Sequence, residues 1–152
     1  MSMKKKTIED YVELIYVLSS KGKARVKTSE VASSLSLSPA SVTEVFQKLS
    51  SEGFLDYVPY GGVLLTAKGR RVAVETKRRH DTLKQLLVLL GVNEGVAEED
   101  ACRIEHVVHA ETMSHLRKFV EFVQMKDGMP RWLENYNRFF ETGEFEDCSQ
   151  SR

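Results

Sequence analysis

Apolar residues recur every three or four positions through most of the chain, and this spacing predicts a mainly helical protein. The first such stretch is TIEDYVELIYVLSS, in which we expect Thr7 to cap the helix and the following KGK to end it. Its apolar positions are Ile8, Tyr11, Val12, Ile15, Tyr16 and Leu18. The chain is therefore predicted to open with an amphipathic helix.

Two shorter helical patterns follow within residues 28–53, and the tight turn SLS joins them. Thr28 is placed to cap the first helix. Ser38 followed by Pro39 predicts the start of the second, because serine caps free amides and proline fits the first helical position. Gly53 is expected to end it. This pair of helices predicts a helix-turn-helix.

The stretches FLDYVP and VLLT flank YGG, which predicts a two-stranded hairpin with Tyr60 and Gly61 at its tip, here called the wing. Helix, helix-turn-helix and hairpin in this order predict a winged helix, whose second helix enters the DNA major groove. A winged helix used only for protein contacts is the alternative, and the basic side chains argue against it because they can contact phosphates. The predicted DNA-binding residues are Arg25, Lys27, Ser38, Pro39, Ala40, Ser41, Thr43, Gln47 and Lys48, with Tyr60 and Gly61 in the wing.

The spacing of apolar residues in the second half of the chain predicts helices and no strands. Thr66 is expected to cap a long helix that Gly91 closes, and VNEGVAEEDACRIEHVVHA and ETMSHLRKFVEFVQM predict the next two. A last helix follows Pro130. These helices carry more apolar surface than one small subunit can cover, which predicts a symmetric homodimer. The aromatic residues expected to pack against the dimer core are Trp132, Tyr136, Phe139 and Phe140.

The fold class expected from these patterns is mainly α with a small β-hairpin. We expect a winged-helix DNA-binding domain over residues 1–72, a helical metal-binding and dimerisation domain over residues 73–142, and a flexible tail over residues 143–152. No segment approaches the roughly 18 apolar residues of a membrane span, so no membrane partner is expected. The two cysteines, Cys102 and Cys148, suit a reducing cytoplasm rather than a disulfide framework.

Charge divides the chain although its net charge is zero. Residues 1–80 hold 14 Lys and Arg against 8 Asp and Glu, and residues 81–152 hold 8 against 14. The basic half points to a polyanion, which agrees with double-stranded DNA as the partner of the winged helix, and the acidic half offers oxygen ligands to a cation.

The stretch ACRIEHVVHAE places four metal-binding types of side chain within eight positions: Cys102, Glu105, His106 and His109. Residues three and four apart share a helix face, so the four are expected to form one stripe. A solvated polar face with a chance cysteine is the plain alternative. The order HExxH of zinc hydrolases is absent, so an enzyme is not expected. A purely structural zinc site remains open, although such sites are richer in Cys and His.

Four stretches carry a resemblance to a known family, and together they cover about residues 7–125. They are TIEDYVELIY, SPASVTEVFQKLSSEGFL, GGVLLTAKGRRVAVETKRRHDTL and GVNEGVAEEDACRIEHVVHAET. The chain resembles the diphtheria-toxin-repressor/manganese-repressor (DtxR/MntR) family of metal-dependent transcriptional regulators, in a short form without the SH3-like domain of longer members. The resemblance implies a repressor of metal uptake and homeostasis genes whose binding to a palindromic operator a divalent metal activates.

The resemblance also implies a ligand set. The Cys-x-x-Glu-His run of iron-responsive members is present at residues 102–106, while the aspartate and glutamate of manganese-responsive members match the first helix, and a histidine of both groups matches the long helix. The implied ligands are Asp10, Glu13, His80, Cys102, Glu105 and His106. Glu98 and His109 are expected either in a second site or beside the ligands.

This sequence departs from the family at the ancillary site of the iron group, where Lys84 replaces a carboxylate and Glu98 a histidine. Carboxylates suit Mn(II) or Fe(II), whereas the Cys102 thiolate favours Fe(II), Co(II) or Zn(II). Because two carboxylates come from the first helix, we expect Mn(II) ahead of Zn(II) and Fe(II).

Overall fold

The computed structural model of the protein describes residues 3–22, 24–125 and 128–145. Within these residues seven α-helices and one antiparallel pair of strands confirm the predicted fold class. The elements are α1 (Lys5–Ser19), α2 (Thr28–Leu35), α3 (Pro39–Ser51), β1 (Leu55–Val58), β2 (Gly62–Leu65), α4 (Ala67–Leu89), α5 (Glu94–Ile104), α6 (Ala110–Gln124) and α7 (Arg131–Thr142). Most of the predicted tail, from residue 146 on, and Cys148 with it, lies outside the described residues.

The residues form two compact units, of which the first ends at Arg78 and the second begins at Arg79. This division falls within α4, close to the predicted domain boundary at residue 72, which stays a prediction.

The first unit has a core to which every one of its helices and strands contributes. Its buried members are Tyr11, Val12, Ile15, Val26, Val31, Ala32, Val42, Phe46, Leu49, Phe54, Leu55, Val63 and Ala73. Full burial of each larger side chain stabilises the fold by about 1.5–3 kcal/mol. The core therefore fixes α3, the predicted DNA-reading helix, on α1, α2 and the hairpin.

Two predicted helix starts differ from the structure. Helix α1 begins at Lys5, so Thr7 lies inside its first turn and the predicted cap is wrong. Helix α2 begins at Thr28 itself, with Lys27 in the capping position. The backbone N–H of Lys27 donates to the Glu30 carboxylate at 2.9 Å, and a glutamate at the third helical position is well placed to reach back in this way.

Helix α3 starts where the sequence predicts. The Ser38 hydroxyl oxygen accepts a hydrogen bond from the backbone N–H of Ser41 at 3.1 Å, and Pro39 is the first helical residue. Gly53, with φ of 80°, follows the helix and lets the chain turn towards β1.

The hairpin pairs Leu55 with Leu65 at its base and Val58 with Gly62 next to the turn. Gly62 has φ of 93°, and a Cβ there would stand 2.4 Å from the Val26 carbonyl oxygen, so only glycine fits. This close approach lets Val26 pair with Val63 through two backbone hydrogen bonds of 2.9 and 3.0 Å. The wing is thus anchored at its base.

The long helix α4 has the predicted ends. Thr66 Oγ1 accepts the backbone N–H of Gly69 at 3.1 Å, and Gly91 follows the helix with φ of 87°. Gly69 also has a packing role, because a Cβ at this position would stand 2.1 Å from the Phe54 carbonyl oxygen.

The largest difference between prediction and structure is the end of α5. The sequence predicts one helix through the stretch ACRIEHVVHAE, whereas α5 ends at Ile104 and α6 begins only at Ala110. Two adjacent β-branched residues, Val107 and Val108, stand in the gap, and such residues lose side-chain freedom in a helix. Their amides both turn back to the Ile104 carbonyl oxygen, at 3.1 and 3.3 Å. The predicted single helical stripe is therefore wrong.

The second unit has a small core made by Leu83, Ala101 and Met113, with partly buried side chains around it. In α7, Leu133 is buried, whereas the predicted aromatic stripe lies at the surface of the single chain. Its exposed fractions are Trp132 43%, Tyr136 38%, Phe139 46% and Phe140 75%. Among the described helices none is both long enough and apolar enough to span a bilayer.

Candidate metal centre and nucleic-acid interface

His80 of α4 lies between two carboxylates in the second unit. Its Nδ1 is 2.9 Å from Glu105 Oε2, and its Nε2 is 3.0 Å from Glu98 Oε1. The imidazole is buried, while Glu98 lies on the exposed side of α5. The break in the helix after Ile104 places Glu105 in the cap position of α5, and its side chain is 1% exposed.

The other oxygen of Glu105 faces a second imidazole. Its Oε1 lies 3.3 Å from His106 Nε2 and, within the described residues, accepts no hydrogen bond although it is fully buried. A buried carboxylate oxygen without a hydrogen bond costs free energy, and such groups call for an ion or water. Glu105 is therefore flanked by one imidazole nitrogen at each oxygen.

Each imidazole–Glu105 separation, taken by itself, is compatible with two ligand atoms that bind the same ion. Two donors that each bind an ion at about 2.1 Å lie roughly 3.0 Å apart at a right angle and roughly 3.4 Å apart at the tetrahedral angle. The two imidazole–Glu105 separations, 2.9 and 3.3 Å, span nearly the same range. A carboxylate with two imidazoles suits Mn(II), Fe(II) or Zn(II).

Lys84, one helical turn after His80, closes the outer side of this arrangement. Its ammonium group lies 2.9 Å from Glu98 Oε2 and 3.2 Å from Glu94 Oε1. The hydrogen bond from Lys84 holds the pKa of Glu98 below its ordinary value, and the two carboxylates raise the pKa of Lys84. Glu98 is thus held as a carboxylate against the His80 ring.

The other predicted site residues are Cys102 and His109 in the second unit and Asp10 and Glu13 in the first. Cys102 lies on α5 with an exposed side chain, and His109 is the exposed capping residue of α6, outside the turn that holds Glu105. Asp10 and Glu13 lie on α1, in the first unit, three residues apart and half-buried. Their roles stay predictions.

Lys84 is a partner of this site that the sequence pattern does not assign to it, because the family resemblance marks this lysine only as a departure. A lysine four residues after His80 shares its helix face. That spacing was the available signal for a basic group close to the histidine.

The first unit presents the predicted DNA-binding surface. Five of the predicted α3 residues are exposed, as are Ser38 before the helix and Lys27. Thr43 is half-buried, and its hydroxyl donates to the Pro39 carbonyl oxygen at 2.9 Å. A groove of about 550 Å³ separates α3 from the wing. It is lined by Lys27, Thr28, Ser29, Pro39, Thr43, Gln47, Tyr57, Pro59, Tyr60 and Gly62.

Arg25 and Tyr60, two predicted DNA-binding residues, differ in whether the protein itself already holds their side chains. The Arg25 guanidinium donates to the carbonyl oxygens of Asp56 and Gly62, at 3.1 and 3.3 Å, and pairs with the Asp56 carboxylate. Its predicted phosphate contact would require these bonds to break. Tyr60, in contrast, is fully exposed at the tip beside Gly61.

The first unit is a winged helix with an exposed recognition helix, and the second encloses a cluster of carboxylates and imidazoles. This combination is typical of a DNA-binding protein that also binds a metal ion. Comparison with known families agrees. Residues 3–63 match the iron dependent repressor N-terminal DNA binding domain, and residues 66–132 match the iron dependent repressor metal binding and dimerisation domain. The chain belongs to this family of metal-dependent repressors, so it is a transcriptional regulator and the hydrolase alternative is set aside.

Individual relatives support the assignment. The HTH-type transcriptional regulator MntR of Geobacillus thermodenitrificans is 37% identical over 91% of this chain and 97% of its own length. An uncharacterized HTH-type transcriptional regulator of Methanocaldococcus jannaschii is 39% identical over 76% of this chain and 93% of its own. A solved manganese-dependent transcriptional repressor complex with manganese superposes with a TM-score of 0.69 at 30% identity. The match covers 77% of this chain but only 54% of that protein.

Proposed function

We propose that this chain represses transcription of metal uptake and homeostasis genes when a divalent transition metal binds the Glu105 cluster. The buried Glu105 carboxylate, flanked by two imidazoles and with one oxygen that accepts no hydrogen bond from the described residues, is the observation that carries the proposal. The proposed ligands are Asp10, Glu13, His80, Cys102, Glu105 and His106.

Each part of the proposed site has a separate task. Glu105 supplies negative charge at the centre, and its two oxygens are shared between His80 and His106. Cys102, three residues before Glu105 on the chain, supplies a thiolate. Asp10 and Glu13 belong to α1, so an ion that they share with the second unit restricts α1 relative to the dimerisation helices.

These side chains would hold a divalent metal, whose positive charge would compensate the carboxylates and the thiolate. We propose Mn(II) ahead of Zn(II) and Fe(II), because carboxylates outnumber the single thiolate in the set. The manganese-dependent repressor named above supports this order.

We further propose that the homodimer binds a roughly palindromic operator in the cytoplasm. Two recognition helices related by dimer symmetry then read half-sites about 34 Å apart, one DNA turn, or a multiple of it. Restricting both reading heads before binding removes an ordering cost, so metal tightens operator binding by an expected 1–3 kcal/mol, about 5- to 150-fold.

The testing experiment is a titration of operator binding with Mn(II), Fe(II) and Zn(II) in turn, on the wild type and on Glu105→Ala and His106→Ala. The wild type should bind DNA reversibly as metal is added and removed. Both variants should remain folded dimers that no longer respond, with Glu121→Ala on α6 as an acidic control. Wild-type metal dependence in both variants contradicts the site, and operator binding unchanged by chelation favours a structural zinc instead.

A further inference from the structure

Glu98 and Lys84 lie outside the proposed ligand set, and Glu98 contacts that set at one atom. Glu98 Oε1 is 3.0 Å from His80 Nε2, on the side of the ring opposite Glu105. The outer oxygen of Glu98 is held by Lys84 at 2.9 Å, and Lys84 also binds Glu94 at 3.2 Å. The result is a continuous chain of contacts from Glu94 to Glu105.

The two ring nitrogens of a histidine ligand have different tasks. One nitrogen offers its lone pair to a metal, and the other carries a hydrogen whose acceptor fixes the ring orientation and tautomer. Glu98 Oε1 lies 3.0 Å from Nε2, and a carboxylate oxygen can only accept a hydrogen bond. In the tautomer with its hydrogen on Nε2, the nitrogen left for a metal is Nδ1, which lies 2.9 Å from Glu105 Oε2.

We propose that Glu98 and Lys84 form a positioning bracket, in which Glu98 accepts the Nε2 hydrogen of His80 and Lys84 fixes Glu98, so that His80 presents Nδ1 to a metal beside Glu105. The proposal rests on the function proposed above, since it concerns the same centre. It assigns to Lys84 a supporting role and makes neither residue a ligand.

Exposure explains why Glu98 needs the lysine. The Glu98 side chain is 53% exposed, whereas that of His80 is 9% exposed. An unattached exposed glutamate samples several rotamers, and a surface ion pair alone gains little. The Lys84 contact therefore acts on geometry rather than on stability, because it restricts the Glu98 side chain and keeps one of its oxygens at the buried His80 ring.

The chain offers a matched control. Lys118 and Glu121 on α6 form an exposed pair at 2.8 Å that resembles Lys84 and Glu98 in chemistry. Like Glu98, Glu121 has its pKa lowered by its lysine. The matched variants are Glu98→Ala and Lys84→Met against Glu121→Ala and Lys118→Met, with Lys84→Arg as the conservative replacement.

The experiment combines two readouts on the full-length dimer. Nitrogen-15 correlation spectra of the metal-free protein follow the His80 Nε2 hydrogen, with His80→Gln identifying its signal. Titration with Mn(II) alone, followed by electron paramagnetic resonance, gives the dissociation constant. We expect Glu98→Ala to lose the protected Nε2–H signal and to bind Mn(II) 10- to 100-fold more weakly, the usual effect of removing such a partner. Lys84→Met should act in the same direction to a smaller extent, and Lys84→Arg and both control variants should resemble the wild type.

The possible outcomes distinguish a failure of this proposal from a failure of the proposed function on which it rests. Wild-type Mn(II) affinity in Glu98→Ala overturns the bracket, whether or not the Nε2–H signal changes. An equal loss of affinity in Glu121→Ala also overturns it, because the effect would then be one of general charge. Failure of the wild type itself to bind Mn(II), Fe(II) or Zn(II) overturns the proposed function, and the bracket with it.

Discussion

The two units differ in how they cover their apolar side chains. In the first unit Val12 and Phe46 are fully buried by the surrounding helices and the hairpin. In the second unit Phe140 and Met125 are 75% and 79% exposed in the single chain, and the small core around Leu83 cannot cover them. The first unit is thus equipped to fold within one chain, whereas the second has the surface of a protein that needs a partner.

The same contrast holds for buried charge. The first unit buries mostly apolar groups, while the second places Glu105 and two imidazoles in its interior. A buried carboxylate destabilises a fold unless a positive charge or hydrogen bonds compensate it. The Glu105 cluster therefore lowers the stability of the metal-free second unit at the place where an ion is expected to bind. The difference teaches that a stable reading domain and a conditional sensing domain have been joined in one chain.

The largest expected effect tests the self-sufficiency of the first unit. Phe46→Ala should lower the free energy of unfolding by about 3–5 kcal/mol, because it leaves a cavity in a fully packed core. Urea denaturation followed by circular dichroism measures the change. The loss should be the same at low and high protein concentration. A loss that vanishes at high concentration would show that dimerisation, rather than this core, stabilises the first unit.

The second effect tests the dependence of the second unit on a partner. Phe140→Ala should leave the single chain folded, because the ring is mostly exposed, but it should weaken dimerisation by about 2 kcal/mol, roughly 30-fold, as a buried aromatic contact does. Sedimentation equilibrium gives the dissociation constant. Tyr60→Asn, which changes an exposed aromatic residue of the first unit, is the control and should dimerise as the wild type does. Unchanged dimerisation of Phe140→Ala would remove α7 from the interface.

These expectations also show how far the sequence was informative. Ser38 and Pro39 marked the start of α3 because capping is a local signal. The end of α5 was missed because no glycine or proline marks it, and two valines are only weak helix breakers. The contact of Glu98 with His80 joins residues 18 apart in sequence, and only the packing of α5 against α4 determines it. The pattern of metal-binding residue types could therefore be read directly, but their arrangement could not.

A smaller effect concerns the charged surface of the first unit. Lys27→Ala and Lys48→Ala should each weaken binding to specific and non-specific DNA alike, and each should reduce the slope of log K against log salt by about 1, because one phosphate contact is lost. Fluorescence anisotropy over a range of salt concentrations measures the slope. Lys118→Ala in the second unit is the charge-matched control. Wild-type slopes in both variants would mean that the DNA-binding face lies elsewhere.

The smallest effect concerns the tip of the wing. Tyr60 occupies the third position of a turn closed by a 2.9 Å hydrogen bond from the Gly61 N–H to the Val58 carbonyl oxygen, and its φ is 62°. Positive φ at this position favours glycine or asparagine, and any bulkier residue there costs about 1–2 kcal/mol. Tyr60→Asn should therefore stabilise the first unit by about 1 kcal/mol in urea denaturation.

A strained residue whose ring buries nothing in the protein is expected to act elsewhere. Tyr60 borders the groove beside α3, so we expect its ring to contact DNA when α3 lies in the major groove. Tyr60→Asn should then weaken operator binding about fivefold, roughly 1 kcal/mol, the size of one lost contact. Its metal affinity should be unchanged, which separates a contact at the wing from any effect on the Glu105 cluster. A variant that is more stable and binds operator as tightly as the wild type would show that the wing leaves Tyr60 out of the complex.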